Sequence, residues 1–297
     1  MKIDYRSVVC APKGKLLVSI DLSQAESWVV AYLADERNMK FALKESDIHC
    51  QGAGAIFVLN GCYHHWIKGE NKCSKCGATI TKDQRYIGKR NNHASSYGMG
   101  PEKKMKVINA DSDKPPYISI TLQEAKEQHR LWHSFYQVTG WWEEVRWKLK
   151  NNDRTITNSY GRSRRFYGPW GDDLEREAIA YEPQSTVADH FNGKVHPEYN
   201  IKGGLIEIYN ELIEPFFCGD IWCNHVGCHK IINQSHDSCI MELPSAVAEE
   251  VGMAAMQLLY RPLVIKNEEF YIPVDGEIGE RWSSEMEAIN FKPRRVA

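Results

Sequence analysis

No apolar run in the 297 residues approaches the roughly 18–20 needed to span a bilayer. The opening stretch, MKIDYRSVVCAPKGK, lacks the apolar core of a secretory signal. There are no repeats and no low-complexity tract, so nothing points to a repeat architecture. Net charge is only −2, so an all-over basic surface for indiscriminate nucleic-acid binding is excluded, although a local basic cleft is not. Nine cysteines make an odd count, and most of them lie in short clusters with histidines. That pattern fits metal binding in a reducing compartment better than a secreted disulfide framework. A soluble, cytoplasmic chain is expected, with no membrane partner. Its length and 42% hydrophobic content suffice for one large domain or two closely packed ones.

The pattern along the chain is mixed α/β with antiparallel pairing. Leu16–Ile20 reads as a buried strand running into Asp21, and Ser23–Leu33 as a helix. A Cys/His segment covers about 60–80. Lys82–Tyr97 reads as a polar helix stopped at Gly98 and Gly100. Pro101 and Pro115-Pro116 mark 101–120 as loop, and 121–150 is strongly helical. A hairpin is expected around Tyr160-Gly161-Arg162, then helices at about 173–191 and 203–214. Ile231-Ile232 and Cys239–Leu243 flank His236-Asp237 as two strands joined by a tight turn. A helix at 245–260 and a strand near Glu269–Val274 close the chain. Trp141, Trp142 and Trp147 have near-helical spacing and read as core or packing residues of a helical region, not as base-stacking platforms.

Two carboxylates, Asp21 and Asp237, stand at strand edges far apart in sequence. Singly, each is an ordinary turn or capping residue. Brought together they suit divalent cations, because Mg²⁺ takes one or two carboxylates plus phosphate oxygens and water. Between them, Arg85, Lys89, His93 and Tyr97 recur at intervals of four and form one slowly drifting stripe on a helix. Two cations followed by two flat rings suit a triphosphate at one end and a base and sugar at the other.

Asp21-Leu22-Ser23-Gln24-Ala25-Glu26 resembles the first catalytic motif of the family A (DNA polymerase I-like) DNA polymerases, usually Asp-Tyr-Ser-Gln-x-Glu. His236-Asp237 resembles their third motif. The Arg85-to-Tyr97 stripe followed by Gly98 resembles their second, in the family's order. Leu22, His93, Ala180 and Ser238 depart from the residues usual there. The resemblance implies a right-hand polymerase, with an antiparallel palm sheet plus helical fingers. Residues 1–34 and 169–297 would be palm and 35–168 fingers, with Cys/His insertions at 60–80 and 218–229. No counterpart of the family's thumb or exonuclease domain is expected within this stretch.

The resemblance further implies transfer of dNMP to a primer 3′-hydroxyl, with two Mg²⁺ held by Asp21 and Asp237. Arg85, Lys89, His93, Tyr97, Gln24 and Glu26 would bind the nucleotide, Glu26 as a gate against ribonucleotides. Arg162, Arg176, Gln184 and His236 would hold primer–template DNA. A second polypeptide supplying thumb and upstream palm is an expected partner, as in a split, phage-encoded enzyme in a bacterial host. The alternatives are a zinc-stabilised DNA-binding subunit inactive alone, and a single-subunit RNA polymerase.

Cys62, Cys73 and Cys76, with His64 or His65, offer the four N and S ligands that structural Zn²⁺ prefers. Cys218, Cys223 and Cys228, with His225 or His229, form a second such group, and His229 is taken as its fourth ligand. One or two zinc ions per chain are expected.

Overall fold

The computed structural model describes residues 5–58, 62, 64–67, 69–110 and 117–294. Pro115-Pro116, used above to mark a loop, lies outside the described residues. A 3₁₀ turn leads into β1 (Lys15–Leu22), then α1 (Ala25–Leu33), α2 (Arg37–Glu45) and α3 (Ile48–Phe57). The short pair β2 (Trp66–Ile67) and β3 (Lys72–Cys73) precedes α4 (Lys82–Ser96) and α5 (Pro101–Asn109). Helices α6 (Leu122–Phe135) and α7 (Thr139–Asn151) lead to the hairpin β4 (Thr155–Thr157) and β5 (Ser163–Arg165). Next come α8 (Asp172–Asn192), α9 (Leu205–Ile208), β6 (Lys230–Ser235), β7 (Ser238–Pro244) and α10 (Ala248–Leu259). The last strands are β8 (Pro262–Ile265), β9 (Glu268–Tyr271), β10 (Val274–Gly279) and β11 (Glu287–Ala288). None of the described helices is long and apolar enough to cross a membrane.

The chain divides into two compact units. The first comprises 1–25, 158–162 and 184–297, and the second 26–157 and 163–183. These boundaries differ from the expected breaks at 34/35 and 168/169.

The first unit is built on a five-stranded antiparallel sheet, ordered β11-β10-β1-β7-β6. Strand β1 is central because both its neighbours run antiparallel in near-continuous register, from Leu17 opposite Gly279 and Glu242 to Asp21 opposite Asp275 and Ser238. Val18, Ile20 and Leu22 share one face by the two-residue period and are buried. Helix α10 packs on that face, so closely that a Cβ on Gly276 would stand 2.5 Å from Met256 Sδ. Ser19 and Asp21 point to the opposite face. Lys15 is buried at the start of β1, and is held there by Glu242 Oε1 and the Cys228 carbonyl, each at 2.9 Å.

The second unit is helical. Helices α3 and α4 approach so closely that a Cβ on Gly88 would lie 2.3 Å from the His49 carbonyl oxygen. The capping box of Thr81 and Gln84 starts α4. Around it, Trp132 and Trp142 donate to Asn92 Oδ1 (2.8 Å) and to the Ser96 carbonyl (3.0 Å).

Several expectations are corrected. Residues 101–109 are helix, since Pro101 occupies the first helical position, where its missing N–H costs nothing. This helix carries Lys104, buried and bonded to Asn91 Oδ1 (2.7 Å) and Ser95 Oγ (2.8 Å). Trp141 and Trp142 are core, but Trp147 is 65% exposed. The expected helix at 203–214 starts after Gly203 and Gly204, which take positive φ, and runs as α9 followed by a π turn (Tyr209–Ile213) and a 3₁₀ turn (Glu214–Phe216). The expected strand near Glu269–Val274 is two strands separated at Ile272-Pro273. Helices α2 and α3 add to the expected elements.

Candidate functional site

Asp21 and Asp237 come together in the first unit. The Leu22 amide donates to the Asp237 carbonyl at 3.0 Å, tying the end of β1 to the β6–β7 turn. That turn is two residues long, and His236 takes φ +53° in it, a conformation histidine tolerates better than most residues. Asp275 lies directly across from Asp21 on β10, and Glu277 is opposite Ser19, so both share the Asp21 face. Burial, then the neighbouring charges of Asp237, Asp275 and Glu277, push the Asp21 carboxyl up from 3.8 to about 6. An all-oxygen cluster of like charges fits a hard divalent cation, which would reverse that repulsion. Gln24 is exposed at the β1–α1 turn with φ +56°. Gln184 and His236 are also exposed in this unit.

Arg162 is not a free cation. Its guanidinium donates to Asp189, which is 1% exposed and also accepts from Asn158 Nδ2 at 2.7 Å. Tyr160 and Arg261 surround the same helix segment, the Tyr160 hydroxyl meeting His190 Nδ1 at 2.7 Å and Arg261 donating to the His190 carbonyl at 2.6 Å. Burial, then Arg261, holds His190 well below the usual imidazole range.

The second unit carries the α4 stripe. Arg85 donates twice to Asp47 Oδ2, from Nη2 at 2.8 Å and Nε at 3.2 Å. Asp47 also caps α3, its Oδ1 accepting from the amides of His49 and Cys50 at 2.8 Å. Lys89 is exposed. His93 is exposed, packs edge-on against Tyr97 and sits 3.9 Å from Glu26 Oε2. The Tyr97 hydroxyl donates to that same Glu26 oxygen, and burial, then Glu26, holds the phenol well above its usual range. Arg176 is paired with Asp173 at 2.7 Å and Asp172 at 3.7 Å. Asp47 is the partner that the sequence did not suggest. Its only signal was a capping residue before Ile48-His49.

Both cysteine groups could hold a metal. The Cys62, His64, Cys73 and Cys76 ligand atoms all lie within 4.8 Å of one another. Burial raises the Cys73 thiol, but the amides of Cys76, His65 and Lys75 and the His64 ring more than offset it and bring it down to about 6. His65 is engaged elsewhere, with Ser74 Oγ at 3.0 Å and with the Glu45 carbonyl. The second group contains Cys218, Cys223 and Cys228. His229, expected as its fourth ligand, is turned away: its Nδ1 donates to the Leu212 carbonyl at 2.7 Å and its ring stacks on Phe216. His225 is exposed and outside the group.

The chain is 23% identical over 285 residues to DNA polymerase I of Aquifex aeolicus, covering 95% of this chain and 42% of that one. It is 25% identical to the thermostable DNA polymerase I of Thermus aquaticus, covering 95% and 29%. Against the DNA polymerase of Escherichia phage T5 it is 25% identical over 183 residues, 57% of this chain and 20% of the other. The chain thus spans less than half the length of these relatives. In fold it resembles the POL domain of Pol1 from M. smegmatis, solved with DNA primer–template and dNTP, at TM-score 0.67 and 18% identity. That likeness covers 93% of this chain and 42% of the other. The profile of "DNA polymerase family A" matches residues 1–284, and the chain belongs to that family.

Proposed function

We propose that this chain is the catalytic part of a DNA-directed DNA polymerase, adding dNMP to a primer 3′-hydroxyl with release of pyrophosphate. The observation that carries the reading is the tie between the end of β1 and the β6–β7 turn, which sets Asp21 and Asp237 side by side in a family A chain. On this reading 1–34 and 169–297 act as palm and 35–168 as fingers. Primer–template DNA and dNTP, present in the M. smegmatis structure, are taken as the partners here. On this reading the chain works in the cytoplasm of a bacterial or phage-infected host cell.

Asp21 and Asp237 would hold two Mg²⁺ as carboxylates, with Asp275 and Glu277 adding negative potential on the same face. When bound, such ions make the 3′-hydroxyl a better nucleophile and stabilise the leaving oxygen. Arg85 and Lys89 take the triphosphate. For Arg85 this is an exchange of one forked anionic partner, Asp47, for another. Tyr97 fixes Glu26 through its hydroxyl, so the carboxylate stands as a rigid wall where a 2′-hydroxyl would project. His93 and Tyr97 give flat surfaces for base and sugar. Gln24 joins the nucleotide contacts, while Arg162, Arg176, Gln184 and His236 serve the primer–template.

Incorporation of dNTP and rNTP on a primed template tests the assignment. Preference for dNTP that relaxes in Glu26→Ala supports it. Equal use of rNTP by the wild type would favour an RNA polymerase. DNA binding that ignores Mg²⁺ and dNTP, without extension, would favour a binding subunit. Where the folded chain does not extend alone, adding a polypeptide that carries thumb and upstream palm tests the expected partner.

A further inference from the structure

We propose that Cys62, His64, Cys73 and Cys76 bind one structural Zn²⁺, and that this ion fixes the start of α4 and the carboxylate that holds Arg85. The metal claim stands alone. Its kinetic consequence rests on the polymerase reading.

The geometry of the four side chains comes first. Cys76 Sγ is 3.4 Å from His64 Nδ1, and all four ligand atoms fall within 4.8 Å. A tetrahedral zinc with bonds of about 2.0–2.3 Å sets neighbouring donors roughly 3.5–3.8 Å apart, so the site closes with a shift of about 1 Å. Three thiolates and one imidazole fill the coordination sphere and leave no open position, which is a structural set. The histidine is already oriented. His64 Nε2 donates to the Val58 carbonyl at 3.3 Å, which leaves Nδ1, the atom beside Cys76, as the acceptor. The C-x2-C turn has the matching backbone, with Gly77 at φ +72° donating to the Cys73 carbonyl at 3.0 Å.

The site is wired to α4 by two routes. Along the chain, the Cys73 amide donates to the Ala78 carbonyl and the Ile80 amide to the Asn71 carbonyl, both at 2.8 Å. The next residue, Thr81, is the cap of α4, with the reciprocal bonds of a capping box to Gln84 at 3.1 and 3.0 Å. Across space, the Trp66 amide donates to Ser46 Oγ at 2.8 Å, and that hydroxyl donates back to the Trp66 carbonyl at 3.2 Å. Ser46 precedes Asp47, the carboxylate that receives Arg85. The apolar support is small, comprising Cys50, Ala53, Trp66, Cys73 and Ile80, with Val58, Cys62 and Ala78 packed against it. So small a cluster cannot by itself hold two connections in register, and a metal cross-link can.

The test uses the full chain. Co²⁺ titrated into the metal-free protein, with Cys223→Ser as background to remove the second cysteine group, should give thiolate charge-transfer bands and tetrahedral d–d absorption, lost on adding Cys76→Ser and kept on adding His64→Cys, which makes a four-thiolate site. Zinc analysis should show about one equivalent lost in Cys76→Ser. Hydrogen exchange across 81–89 should rise in that variant and on chelation of the wild type, and fall again when zinc is restored. With primer extension as the readout, KM for dNTP should rise about 5- to 150-fold, the usual span of coupling between sites, while kcat changes little. Absence of the cobalt spectrum in folded wild type overturns the metal site. Metal loss that leaves exchange at 81–89 unchanged overturns the link to α4. Altered exchange with no extension by any form leaves the site standing and counts against the polymerase reading alone.

Discussion

The Leu22 amide donates to the Asp237 carbonyl at 3.0 Å, one backbone bond that joins the end of the central strand to the tip of its neighbouring hairpin. Main-chain geometry therefore brings the two positions together, and this backbone bond remains available when either side chain is changed.

Asp21 makes the metal-free fold pH-sensitive. Its carboxyl is raised from 3.8 to about 6, so between those values the folded chain keeps a proton that the unfolded chain releases. Its contribution to stability falls as pH rises through that window and stays low above it. Asp21→Asn is expected to be more stable than wild type at pH 7 without metal, by at most about 2 kcal/mol after solvent screening, and so to unfold at a higher temperature. The difference should vanish near pH 4, and Mg²⁺ should stabilise wild type only. Thermal melts at the two pH values check this.

Asp47 serves two partners, the α3 amides and Arg85. Asp47→Ala should cost about 1–3 kcal/mol, combining a lost cap with a lost charged hydrogen bond. Asp47→Asn keeps the cap and should cost less, whereas Arg85→Ala should raise KM for dNTP and cost about 1–3 kcal/mol through the lost charged hydrogen bond. Denaturant titrations of the variants and their double mutant would show the coupling. Additive effects of Asp47→Asn and Arg85→Ala would mean the pair is energetically idle.

Gly88 reverses the usual rule for mid-helix glycine. Gly→Ala in a helix ordinarily stabilises by about 0.5–1 kcal/mol. Here the added methyl would meet the His49 carbonyl oxygen at 2.3 Å, against backbone that cannot swing aside. Gly88→Ala should destabilise by about 1–3 kcal/mol, as overpacking does, and chemical unfolding measures it directly. An unchanged or raised midpoint would show that α3 and α4 part easily.

The features legible in sequence were those with local signals. Asp21 follows an unbroken apolar run, and His236-Asp237 sits between two apolar segments, so strand and turn could both be read. Helix α4 announced itself through its stripe and the glycines after it. Pro101 misled because proline ends a helix in most positions yet begins one at the first. Helix α3 was hidden by Gly52 and Gly54, which lower helical propensity but let neighbours approach. Asp275 opposite Asp21, Asp47 beneath Arg85 and Asp189 beneath Arg162 are long-range pairings, and no local period encodes register between distant segments. The sequence left His64 and His65 equivalent. Hydrogen bonds to Ser74 and Glu45 separate them.

The most direct measurement is primer extension with Mg²⁺ and dNTPs by wild type and Asp237→Ala, each shown to be folded. The account predicts extension by wild type and its loss in the mutant, by roughly a thousandfold or more if metal-held charge stabilisation drives the step. Extension by Asp237→Ala at the wild-type rate would contradict it.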